Sequence, residues 1–162
     1  MAALVLVLDQ VTKAIAEDRL AGGRVVPVVD GLFQLRLVYN PGAAFSFATN
    51  ATVLLTIVSV VVVAVILRVS RRLAHPVWAV ALGALLGGAL GNLGDRFFRS
   101  PGPLRGEVVD FLELPGFPVF NLADSAIVLG ASLMVLLSLR GTAYDTPPGH
   151  HGARPEPAEQ GE

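Results

Sequence analysis

The chain has no cysteine among its 162 residues. That excludes a thiol nucleophile, a disulfide framework and any thiolate-ligated metal, and it leaves the compartment open. Charge is scarce too: Asp, Glu, Lys and Arg make up 15% of the sequence, against about 25% in an ordinary soluble domain. The formal net charge is −1, so no basic field recommends nucleic acid as a partner. Apolar residues take the place of the missing charge, at 53% of the chain, and the mean hydropathy is +0.64. Such a composition points to lipid and not to a small water-soluble core.

Four segments are candidates to span a membrane. Residues 41–67 hold no charge, and their last seventeen form the spanning part. Residues 77–94 are a second uncharged stretch, and a third run from 119 to 139 is interrupted only by Asp124. Each approaches the roughly 20 residues that about 30 Å of hydrocarbon requires. The first segment is weaker, with sixteen residues before Glu17 and both Asp9 and Lys13 inside them. At about 1.5 Å per residue it falls short of the bilayer, so either the chain is expected to start late or Met1 to lie close to the membrane boundary. A signal peptide is disfavoured there, because no positive region precedes the apolar residues.

The arginines give an orientation. Arg68, Arg71 and Arg72 lie between the second and third spans, and Arg140 follows the last. Both termini are therefore expected in the cytoplasm, although Arg19, Arg24 and Arg36 sit in the opposite loop among Glu17, Asp18 and Asp30. Within the loop at 17–50, Phe33, Leu35, Leu37 and Tyr39 alternate with Gln34, Arg36 and Asn40, which predicts a strand with one apolar face. The preceding RVVPVVDG reads as a second strand, kept to an edge by Pro27, with Asp-Gly as its turn. The segment 95–118, punctuated by Pro101, Gly102, Pro103 and Gly106, reads as a loop. Residues 141–162 lack apolar periodicity and read as a disordered tail, in which His150 and His151 are solvated and not metal ligands.

Ionisable groups inside spans are functional candidates, since each is costly without a partner. Here they share one depth. Asp9 and Lys13 are four apart, the spacing of an ion pair on one helical face. Asn92, Asp95 and Arg96 meet the outer end of the third span, where they form either a helix cap, with Arg96 satisfying Asp95, or the flank of a site. Asn121, Asp124 and Ser125 repeat that spacing at the start of the fourth, and Asn40 heads the segment leading to the second. Trp78, Phe97 and Phe98 read as interface markers.

Asp110 is a second carboxylate in apolar surroundings, between Val109 and Phe111. The fourteen positions from it to Asp124 include Pro115, Gly116 and Pro118, enough to fold the chain back. Two carboxylates in a partly dry place titrate as a unit. One can take a proton from water while its protonated partner polarises a carbonyl. Spacing alone leaves proton transfer open as the alternative.

The motifs DQVTK (9–13), YNPGAAF (39–45), GNLGDR (91–96), VVDF (108–111) and FPVFNLADSAI (117–127) resemble, in that order, those of lipoprotein signal peptidases, the type II signal peptidases of bacteria. The resemblance implies an all-α membrane fold of four transmembrane helices with a small extracytoplasmic sheet between helices 1 and 2. Residues 1–140 would form the peptidase domain, with loops at 17–50 and 95–118, and 141–162 a cytoplasmic tail. It implies an aspartic endopeptidase of the bacterial cytoplasmic (inner) membrane, its site near the outer face. The substrate would be a prolipoprotein signal peptide, cut just before a diacylglyceryl-modified cysteine. Asp110 and Asp124 would be the catalytic pair, with Asn40, Asn92, Asp95, Arg96, Asn121, Asp9 and Lys13 around it. No metal or cofactor is implied; membrane lipid is an expected partner and the chain is expected to act as a monomer. The sequence departs from many members in its short first span and in a compact segment between the aspartates.

Three other readings compete. In a proton or cation path, Asp9, Asp95, Asp110 and Asp124 would mark one end, but no charged residues continue it across the membrane. A presenilin-like protease would need GxGD, and GNLGD fails that spacing. A non-enzymatic assembly subunit would use the small-residue surface 83–91, which more simply lets helices of one chain approach.

Overall fold

The computed structural model describes residues 1–42 and 51–145, built as four helices and three strands. Helix α1, Ala2–Arg19, is followed by a 3-10 turn, Ala21–Gly23. Strand β1 (Val25–Val29) then turns through Asp30 and Gly31 into β2 (Phe33–Asn40). Gly31 supplies the positive φ of 71° at that turn, which costs a glycine little. Helix α2, Ala51–Ser70, is almost wholly aliphatic. Helix α3, Pro76–Phe98, starts on His75, whose Nδ1 accepts from the Val77 amide at 3.3 Å, with proline at the first helical position. Strand β3, Val108–Glu113, precedes α4, Leu122–Leu139.

The polarity of the bundle is inverted relative to a soluble protein. Asp9 and Lys13 of α1 are fully buried, while Leu4, Val7, Leu8, Val11 and Ile15 of the same helix are exposed. Helix α2 likewise presents Leu54, Ile57, Val58 and Val61 outward. Apolar outside and polar inside is the arrangement lipid favours. Among the described residues three helices are long and apolar enough to cross a membrane: α2 over Thr52–Ser70, α3 and α4. Helix α1 matches α4 in length, at 18 residues, but its charges keep it out of that set. The chain is thus a multi-pass membrane protein.

Helix α3 is central, touching α1, α2 and α4, and its glycines make this possible. A Cβ at Gly87 would lie 2.6 Å from the Ala2 carbonyl oxygen of α1, and one at Gly88 would collide with the Ala123 carbonyl of α4. The small-residue stretch 83–91 therefore packs helices within the chain, which removes the reason to assign it to a partner subunit.

The strands form one antiparallel sheet in the order β1-β2-β3. The strand expected at 33–40 forms, with Leu35 and Leu37 packed beside Ala16, Leu20 and Phe111, while Tyr39 of the same expected face is exposed, beyond an irregularity in register between Leu35 and Val38. The reading of 95–118 as a loop is corrected: Val108–Glu113 is a strand paired with β2, so Val38 faces Asp110 and Asn40 faces Val108. The sheet thus draws on both interhelical segments, not only on the one between α1 and α2.

At the other end, residues 142–144 are held against the α2–α3 turn. Trp78 Nε1 donates to the Thr142 carbonyl at 2.9 Å, and the Ala74 amide to the Tyr144 carbonyl at 2.9 Å. This part of the expected tail is bonded to the bundle; 146–162, with His150 and His151, and 43–45 of the YNPGAAF motif lie outside the described residues.

Candidate active site

Two local structures bring Asp110 and Asp124 together. Beyond β3 the chain turns at Leu114–Phe117, where the Phe117 amide donates to the Leu114 carbonyl. It comes back antiparallel, with Leu112 and Phe120 bonded through both amides at 2.8 and 3.0 Å. Asn121 then caps α4: its Oδ1 accepts from the Asp124 amide at 2.9 Å, and Asp124 Oδ2 accepts from the Asn121 amide at 3.1 Å. A capping box of this kind satisfies two free helix-end donors. It also fixes the Asp124 carboxyl at the mouth of the helix.

Asn121, fully buried, joins the two carboxyls. Its main chain holds Asp124, and its Nδ2 donates to Asp110 Oδ1 at 2.7 Å. The other Asp110 oxygen accepts from Asn40 Nδ2 at 2.8 Å, and Asp124 Oδ1 from Asn92 Nδ2 at 2.7 Å. Asn40 is the last residue of β2 and reaches Asp110 on the neighbouring strand. Burial is the main cause pushing the Asp110 carboxyl up from 3.8 to about 6, and the nearby Asp124 adds to it. The two amide donors oppose that rise by stabilising the ionised form.

Behind the pair lies a charged layer. Lys13 Nζ places its three protons on Asp9 Oδ2 (2.8 Å), Asp95 Oδ2 (2.7 Å) and Asn92 Oδ1 (2.9 Å). Asp9 Oδ1 accepts from the Ala123 amide of α4 at 3.0 Å, and Asp95 Oδ2 from the Val109 amide, next to Asp110, at 3.3 Å. The ion pair expected from the Asp9–Lys13 spacing is formed, and it stands directly behind the carboxyls. Gly91 leaves room for this layer, for a Cβ there would strike Asp9 Oδ2.

All nine residues singled out from sequence converge here, with one change of partner. Arg96 does not satisfy Asp95; Lys13 and Arg99 do, the latter through Nε at 2.7 Å. Among the described residues Arg96 Nη1 is buried with no hydrogen-bond partner, and Asp110, Asp95 and Asp124 are its charged neighbours. Sequence reasoning missed two residues. Gln10 donates to Asp9 Oδ2 (3.1 Å) and to the Gly91 carbonyl (3.2 Å), and its place beside Asp9 in DQVTK was the available signal. Arg99 was missed because it follows the expected end of the span, although it stands four residues after Asp95.

The fold and this cluster define a multi-pass membrane protein with a carboxyl pair held at one end of its helices. Comparison with known proteins gives the family. The model of signal peptidase II matches residues 1–140. A lipoprotein signal peptidase of Mycobacterium avium (strain 104) is 53% identical over 90% of this chain and 80% of its own length. One from Rhodococcus jostii (strain RHA1) is 52% identical over 90% and 73%. A solved bacterial membrane enzyme, 28% identical, superposes with a TM-score of 0.72 over 86% of this chain and 90% of its own. The chain belongs to the signal peptidase II family.

Proposed function

We propose that Asp110 and Asp124 are the catalytic pair of this peptidase, which removes signal peptides from prolipoproteins, and that they share one proton in the active form. The observation that carries this reading is the Asn121 bridge, one buried residue bonded to both carboxyls. The ionised member takes a proton from water, and the resulting hydroxide adds to the carbonyl carbon of the scissile bond. The protonated member donates to the carbonyl oxygen, giving a neutral tetrahedral diol. Collapse of that diol returns a proton to the departing amine, and the C–N bond breaks. Asn40, Asn92 and Asn121 hold the carboxyls in register, Asp9, Lys13 and Asp95 fix the layer behind them, and the free Arg96 N–H faces the substrate.

Four spans, with both termini in the cytoplasm, set the pair near the outer face of the bacterial inner membrane. Residues 1–140 act there as a single monomeric unit, with the remainder a cytoplasmic tail. The diacylglyceryl chains of the substrate stay in the bilayer, so its cysteine reaches the site at the interface. The test is mass analysis of products from a diacylglyceryl-modified prolipoprotein peptide and its unlipidated counterpart. Cleavage is expected just before the cysteine. Losing only four buried methylenes, at about 0.8 kcal/mol each, lowers kcat/KM for the unlipidated peptide about 100-fold or more. Equal cleavage of both peptides, or cleavage elsewhere, overturns the reading.

A further inference from the structure

The charged layer behind the carboxyls does not end at Asp95. Arg99, the residue after α3, spends its guanidinium on two helices: Nε on Asp95 Oδ1 at 2.7 Å and Nη1 on Glu17 Oε1 of α1 at 2.5 Å. Glu17 Oε1 also accepts from the Tyr39 hydroxyl of β2 at 3.3 Å. Arg99 thus lies where α1, α3 and the sheet meet, at the outer rim of the buried network. From Asp95 that network reaches the pair by two routes. One is the Val109 amide, adjoining Asp110; the other is Lys13, then Asn92, then Asp124.

We propose that Arg99 is a positioning residue for the carboxyl pair, acting through Asp95, and that its charge helps set where the pair binds its second proton. This rests on the reading of Asp110 and Asp124 as the catalytic pair. Facing the pair are Asp9 and Lys13 from α1 and Asp95 and Arg96 from α3. Facing Arg99 are Asp95, Glu17, Tyr39 and Glu107. With one proton on the pair, the cations Lys13, Arg96 and Arg99 balance Asp9, Asp95 and the single charge of the pair. Glu17, 30% exposed, sits outward of that set. Without Arg99 the layer carries one uncompensated negative charge, which favours the doubly protonated pair and thins the reactive form. Asp95 also loses the donor that fixes its Oδ1.

The test measures kcat, KM and the pH dependence of kcat for Arg99→Gln, Arg99→Lys and Glu17→Gln, with Asp110→Asn as reference and thermal melting alongside. Arg99→Gln can still donate to Asp95 but has no charge. It is expected to lower kcat about tenfold with KM little changed. Its acid limb should move up by about one pH unit, the size of a unit charge about 12 Å away at an effective dielectric of about 20. Arg99→Lys restores the limb and most of kcat. Glu17→Gln frees Arg99 from α1 and lowers the melting temperature; it removes a negative charge lying outward of Arg99, so the limb does not move up.

A purely structural clasp gives the opposite pattern. Both Arg99→Gln and Glu17→Gln then melt earlier while the folded fraction keeps kcat and limb, and that overturns the proposal. A limb moved up by Glu17→Gln as far as by Arg99→Gln also overturns it. Activity surviving in Asp110→Asn removes the pair itself, which separates failure of the underlying reading from failure of this one.

Discussion

Asp124→Asn and Asp110→Asn each lower kcat for the lipidated peptide by about 10³- to 10⁴-fold, the range of a lost acid–base group. KM changes little, because neither carboxyl is asked to hold the lipid or the signal helix. Asparagine keeps the size and leaves the Asn121 Oδ1 cap on the main-chain amide of residue 124, although its own amide then meets the Asn121 N–H or Asn92 Nδ2, both donors. At 110 the new amide faces Asn40 Nδ2 and Asn121 Nδ2, both donors, and one contact must turn round. The double variant is no slower than either single one, because two groups that act as a unit are lost together. Losses that multiply instead would show two independent residues and remove the shared proton from the mechanism. Folding is checked by melting each variant beside the parent.

Lys13→Met destabilises the protein more than any surface change. Lys13 is fully buried between Asp9 and Asp95, also buried, and its ammonium uses every proton on Asp9, Asp95 and Asn92. Removing it leaves two carboxylates to share what Gln10, Arg99 and the Ala123 and Val109 amides supply. Breaking one partner out of a buried ion pair costs about 3–5 kcal/mol, which in a chain of this size lowers Tm by about 10 °C or more. Asp9→Asn combined with Lys13→Met removes one of the stranded charges and recovers part of the loss. A single variant that melts with the parent would mean the buried charges are not mutually dependent.

Sequence patterns disclosed the helices and the polar level where they meet, since periodicity and cost in lipid are both local properties. The strand at 33–40 was legible for the same reason, as one face meets Ala16 and Leu20 while the other carries Gln34 and Arg36, which grip Glu113 at 2.7 and 2.9 Å. Strand β3 was not. Val108, Val109, Asp110 and Phe111 are all buried, so the segment shows no alternation, and the prolines before it suggested a loop. The partner of Asp95 was hidden by a boundary: α3 runs to Phe98, past the last residue that hydropathy assigns to the span, which brings Arg99 into reach. The Asn40 contact was hidden because cross-strand register depends on β3. Resemblance to a family named the carboxyls; the Asn121 bridge and the saturated ammonium of Lys13 needed coordinates.

The most direct test of the shared proton is the pH profile of kcat/KM for the unaltered protein, followed from acid to alkaline pH with the lipidated peptide. Below the first ionisation both carboxyls are protonated and neither can take a proton from water. Above the second both are charged and neither can polarise the carbonyl. A bell is therefore expected, with a limb near 6, where burial holds the Asp110 carboxyl. A rate that climbs through that range and stays level to alkaline pH would mean that no protonated carboxyl takes part, and the paired mechanism would have to be abandoned.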